Sequence, residues 1–314
     1  MADLLRKCFN IFPGEEKSAS FFALLAFLWS VAVTSGLKFA DALFLIHIGS
    51  QDLPYAYSLS AASMILIASL LIYGFHRFQA YKIFITALLF GVVFYFSAFL
   101  IFAYSIGLDS DWIWYALRVF GSINFAVIVT CFWTFLDQYF HLQDAKRLFS
   151  LFSSMVFLGI ATTGFIMLMG LIEFKTLALM ISIVLSLVIL LILKIHNTLN
   201  PVYDDSAYDI DTVSYEESIK AFIRSILKSR FTLLLMCSNI LIYLLLVTTE
   251  YNYFSTFSEV FHEGAVQAGD EADAKLTLFL GKALAGVSIT NLLFGLFFYS
   301  RLLRRFGIQS RVTL

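Results

Sequence analysis

Eight times along the chain an uninterrupted apolar block of twenty or more residues gives way to a polar break. Blocks of this length match the roughly 20 residues that carry a helix across a hydrocarbon core of about 30 Å. We place the spans at 19–48, 54–75, 81–107, 112–136, 148–172, 175–195, 231–257 and 277–300. Strands are not expected, because a membrane barrel alternates polar and apolar residues over segments of about ten. Inside lipid the backbone must satisfy its own hydrogen bonds, so continuous apolar blocks read as helices. The composition agrees: of 314 residues, 60% are hydrophobic and 14% charged, against about 25% charged in a soluble domain. The expected fold class is an all-α polytopic membrane protein, with the lipid bilayer as its first partner.

Several function classes fall away early. A net charge of −1 gives no electrostatic footprint for nucleic acid. Cys8, Cys131 and Cys237 have no metal-ligand spacing and read as small apolar filler. The five histidines are scattered, and Gly264 and Gly269 lack the spacing of a phosphate-binding loop. No Ser/His/Asp order is readable. The reading is of a protein that is not an enzyme and has no metal or cofactor. The first block follows a charged preface (Arg6, Lys7, Glu15, Glu16, Lys17) and has no small-x-small cleavage site, so it reads as a span rather than a signal peptide.

Lysine and arginine set the expected orientation. Sixteen of the 21 lie in the N-terminus, in alternate loops and in the tail after the last span. The opposite loops hold only Lys175 and Lys275, and three more, Lys38, Arg118 and Lys282, fall within spans. The positive-inside rule therefore puts both termini in the cytoplasm.

The longest polar break, 196–230, begins acidic and ends basic in SIKAFIRSILKSRF. It divides the chain into a six-helix half at 1–195, a central cytoplasmic loop at 196–230 and a two-helix segment at 231–314. The ends of spans 2 and 8, LLIYGFHRFQAYK and LFFYSRLLRRFGIQSR, share an aromatic, a small residue and then cations. That similarity fits two parallel six-helix repeats, a known transporter plan. It also fits any cytoplasmic helix end. On the twelve-helix plan four more helices follow the eighth, so the expectation is a shortened protein or a fragment.

Charges within spans are costly, at least about 2.5–3.5 kcal/mol each at the bilayer centre, and so mark candidate sites. Lys38 and Asp41 are three residues apart and share a helix face. Arg118 and Lys282 either face a cavity or snorkel to the interface. Glu250, in LLLVTTEYNYFSTF, reads as a cavity wall or as an outer-interface residue. These five residues, Lys38, Asp41, Arg118, Glu250 and Lys282, are the candidate substrate-binding set.

A further stretch, FWTFLDQYFHLQDAKRLF at 132–149, joins spans 4 and 5 through a charged elbow containing Asp137, Asp144, Lys146 and Arg147. Chemistry alone makes it a cytoplasmic amphipathic turn, with Leu142, Leu148 and Phe149 dipping into the headgroups. The phrase also resembles the span 4–5 region of the bacterial and plastid ATP/ADP translocases. It does so through Phe132, Trp133, Phe135, Asp137, Gln138, Asp144, Ala145, Lys146, Arg147 and Phe149. FPGEEKSASFF and DALFLIHIGSQDLPYAYS resemble N-terminal segments of that superfamily's transporter-like relatives, and the likeness spans residues 10–310 at low identity.

The resemblance implies a major-facilitator-like bundle of twelve helices, of which about eight are present, in a bacterial inner membrane. It also implies alternating-access antiport of ATP and ADP, with Lys38 and Arg118 facing phosphate, Glu250 as a gating carboxylate, and the elbow as a cytoplasmic gate. The chain departs from the exchangers at Ala40, where they carry lysine, at Asp137, often asparagine, and at Tyr253 and Phe254, where tryptophan and lysine are expected. A transporter of another small anionic metabolite and a non-transporting membrane scaffold are the alternatives.

Overall fold

The structure, a computed structural model, describes residues 14–108, 110–140, 142–169, 173–199, 201–202, 224, 228–265 and 270–294. Eight helices follow in order: α1 Glu16–His47, α2 Leu53–Arg77, α3 Ala80–Ala103, α4 Asp111–Asp137, α5 Leu142–Met169, α6 Phe174–Thr198, α7 Arg230–Ala265 and α8 Asp270–Phe294. No strand occurs among the described residues. Seven of the helices are long and apolar enough to cross a bilayer, and the chain is an all-α polytopic membrane protein. The eighth expected span, 277–300, is described as far as Phe294, with an apolar segment Leu278–Phe294. Its remainder, the N-terminal preface before residue 14 and most of the central loop lie outside the described residues.

Helix α1 is the axis of the bundle. It packs against α4, α5 and α6, while α3 packs on α6 and α2 leans on α4. Its sequence explains this position. Ala26, Ser30, Ala32, Thr34, Ser35, Gly36, Ala40 and Ala42 are all buried and all small, so neighbouring helices come close from several sides. In lipid, association rests on such close packing and on polar contacts between helices, because the tails are as apolar as the side chains. Thr163 of α5 supplies one such contact: its hydroxyl lies 3.1 Å from that of Ser35 and 3.2 Å from the Val31 carbonyl, to which it donates.

The most extensive helix–helix interface joins α5 to α8. Here a Cβ on Gly164 would stand 2.6 Å from the Ala285 nitrogen, and one on Gly281 would stand 2.9 Å from Met167 Cβ. Only glycine permits this approach. Gly281 and Ala285 are four apart on α8, so one face of small residues makes the crossing. By contrast α2 and α7 turn long apolar faces outward. Ile65, Leu66 and Leu70 of α2 and Leu241, Tyr243 and Leu245 of α7 are about two-thirds exposed. In water such patches would drive association; facing acyl chains they are in their natural solvent.

The elbow is tighter than the sequence suggests. α4 runs to Asp137 and α5 begins at Leu142. Asp144, Lys146 and Arg147 therefore belong to the backbone of α5's first turns and not to an amphipathic loop. The physical reason is helix propensity: Leu, Gln, Ala, Lys and Arg are all good helix formers. The side chains of Asp144, Lys146 and Arg147, and all of His141, lie outside the described residues. Asp137 is exposed. The aromatic residues of the phrase serve packing. Phe132 and Phe135 are completely buried, and Trp133 stacks on Phe149 at 4.4 Å, clasping α4 to α5. Beside them Phe22 contacts Phe135, Tyr139, Phe140 and Phe152 with ring centroids 5.3–6.1 Å apart. This aromatic plug fills the elbow end of the bundle. The segment after α6 ties in as well, because Val202 donates its amide to the Gln138 carbonyl at 2.8 Å. The Tyr139 hydroxyl lies 3.4 Å from His196 Nδ1, and burial pushes that phenol up to about 12.

Candidate functional site

Four of the five candidate residues come together near the end of the bundle opposite the elbow. Lys38 lies about two and a half turns before the end of α1, and Arg118 about two turns after the start of α4. The two cations meet at Asp41. Lys38 donates to Asp41 Oδ2 at 2.9 Å along its own helix, and Arg118 Nε stands 2.6 Å from Asp41 Oδ1. That second contact is an ion pair without hydrogen-bond alignment, because the Nε–H does not point at the carboxylate oxygen. Arg118 also donates to the Ser122 hydroxyl one turn along α4, and its guanidinium lies 5.4 Å from the centre of the Tyr57 ring of α2. Asp41 and Arg118 are both buried, with side chains 1% and 4% exposed.

The fourth charge arrives from far along the chain. Glu250 Oε1 of α7 accepts from Lys38 at 3.5 Å, a contact between side chains 26% and 35% exposed. One turn further along α7 the Phe254 ring lies 5.8 Å from Lys38 Nζ. Two cations and two carboxylates thus form a chain, Arg118–Asp41–Lys38–Glu250, with a net charge of zero. Charges this desolvated are tolerated because each has an opposite partner at contact distance.

The chain borders a cleft of about 210 Å³ between α1, α5, α7 and α8. Lys38, Asp41 and Glu250 supply its charged wall, Tyr253 and Phe254 its aromatic wall, and Met167, Leu280, Ala283, Leu284 and Val287 its apolar one. Leu280, Ala283, Leu284 and Val287 follow the period of a helix face, and that face is presented to the cleft. Lys282 is not among the cleft-lining residues and is exposed on α8. Arg118 does not line the cleft either and reaches it only through Asp41.

Two participants carry no warning in the sequence. Tyr57 and Ser122 lie in apolar spans with nothing to set them apart from the chain's other tyrosines and serines. Among the described residues no group of three or more His, Cys, Asp and Glu is placed to hold a metal ion. Cys131 is buried in α4 and Cys237 is exposed on α7, both as free thiols.

Comparisons of the chain with known protein families, with curated proteins and with solved structures gave no match.

Proposed function

We propose that the chain is a secondary transporter working by alternating access: an antiporter of anionic solutes, with ATP and ADP as the first pair to test. The observation that carries this reading is the Lys38–Glu250 contact between α1 and α7 at the mouth of the cleft. Ionisable groups within membrane spans are costly, and solute pathways are where they are found. The substrate pair comes from the resemblance to nucleotide exchangers.

The geometry suggests how exchange would be enforced. With no solute bound, Lys38 ties α1 to α7 through Glu250, and the empty carrier stays in place. An anion entering the cleft competes with Glu250 for the ammonium, since contacts from Lys to carboxylate or phosphate are charge-assisted and strong. The tie is then broken only when solute is bound, so reorientation accompanies loading and empty return is suppressed. Asp41 stays neutralised by Arg118 throughout. The distribution of lysine and arginine supports a cytoplasmic elbow and, with it, a cleft in the outer half of the membrane. The aromatic plug lies between the cleft and the cytoplasm.

Uptake of labelled ATP by intact bacterial cells expressing the chain, followed by a chase with unlabelled ADP, tests this reading. Accumulated label released by the chase, with no release in buffer alone, supports the antiport reading. Net uptake that needs no counter-solute would overturn the antiport mechanism.

A further inference from the structure

The charges around the cleft say more about the solute than the resemblance does. Resting on the antiporter reading, we infer that the solute is a small, singly charged anion with an apolar body, and that its anionic group takes Lys38 from Glu250. The available cations set this limit. Arg118 is committed to Asp41 and Ser122 and has only 4% of its side chain exposed. Lys282 is absent from the cleft lining. Among the described residues that leaves Lys38 as the cation on the cleft wall. With Glu250 displaced into its exposed position, Arg118, Asp41 and Lys38 together carry one positive charge. One negative charge on the solute restores neutrality. A second would sit next to Asp41 with no counter-charge in a low-dielectric setting, where like charges repel strongly.

Size and lining point the same way. A cleft of about 210 Å³ is smaller than the roughly 300–1,000 Å³ of pockets that hold drug-sized ligands. Beyond its charged wall the cleft presents Met167, Phe254, Leu280, Leu284 and Val287, with the hydroxyl of Tyr253 as its polar addition. Such a lining has little to offer a phosphate chain and much to offer a hydrocarbon or an aromatic ring.

Benzenesulfonate suits the test, because it is a monoanion at all accessible pH values and does not cross lipid unaided. The full chain is reconstituted into vesicles, and both equilibrium binding and counterflow of labelled benzenesulfonate are measured. Binding and counterflow are expected. Lys38→Gln should weaken binding at least about tenfold, the scale of one charge-assisted hydrogen bond. Lys38→Arg should restore much of it, and Glu250→Gln should tighten it severalfold by removing the competing carboxylate. Lys38→Gln leaves Asp41 paired with Arg118, so the fold is expected to persist, as circular dichroism and size exclusion would show. Benzene-1,3-disulfonate should bind at least about tenfold more weakly than the monosulfonate.

The outcomes separate the two readings. Disulfonate binding as tight as monosulfonate overturns the single-charge inference. ATP/ADP exchange without benzenesulfonate binding overturns it too, and leaves the antiporter standing. Benzenesulfonate binding without any exchange supports the anion site and overturns antiport. Vesicles holding folded protein that neither bind nor exchange any of these solutes overturn both.

Discussion

Asp41 and Glu250 are both carboxylates in contact with Lys38, yet their surroundings differ. Asp41 is sealed between α1 and α4, 1% exposed, with Arg118 against its other oxygen. Glu250 reaches Lys38 across a longer gap, from a helix that packs mainly on α8, and is 35% exposed. The first pair behaves as architecture, because neither partner has water to fall back on. The second pair is only partly enclosed, so its partner can be exchanged without unfolding anything. A charge network in a membrane can therefore be permanent at one end and labile at the other, with a single lysine as the junction.

The sharpest way to break this contrast is Arg118→Leu. Asp41 would be left buried with Lys38 alone, and removing one partner of a buried pair typically costs about 3–5 kcal/mol. Thermal unfolding in detergent should show a large loss, most of which Arg118→Leu combined with Asp41→Leu recovers. A single variant as stable as the parent protein would mean that the Arg118–Asp41 pair is not structural. Next in size is Gly164→Leu at the α5–α8 crossing. Its side chain would meet the backbone of Ala285, and overpacking of this kind costs about 1–3 kcal/mol. Because Met167 and four α8 residues line the cleft, solute binding should weaken along with stability. The smallest expected change is that of Glu250→Gln on unfolding, about 0–1 kcal/mol as for partly exposed ion pairs. A loss there as large as that of Arg118→Leu would erase the distinction between the two ends.

Much of the helical architecture could be read from the apolar blocks, because bilayer thickness and backbone hydrogen bonding leave few alternatives. The Lys38–Asp41 pair was legible for a similar reason, since helical spacing places residues three apart on one face. The partnership of Arg118 with Asp41 was not. It joins α1 to α4 across an intervening pair of helices, and no local pattern encodes that distance. Lys282 was open to two readings because a charge in an apolar block looks the same whether its helix face meets a cleft or the outside, and α8 presents Leu280, Ala283, Leu284 and Val287 to the cleft. The elbow did mislead. Its charges suggested a loop, whereas QDAKR is also a good helix start, and α5 begins before it.

The outward apolar faces of α2 and α7 invert the usual map of mutational tolerance. In a water-soluble protein the exposed positions drift freely among polar residues and the interior is restricted to greasy ones. Here Ile65, Leu66 and Leu70 are free to interchange with other hydrocarbons yet closed to lysine. The buried wall of α1, by contrast, admits serine, threonine and aspartate between its large residues Phe22, Trp29 and Phe44, and its close-packed positions stay small. Sequence drift in this protein should therefore conserve size on the inside and solubility in oil on the outside.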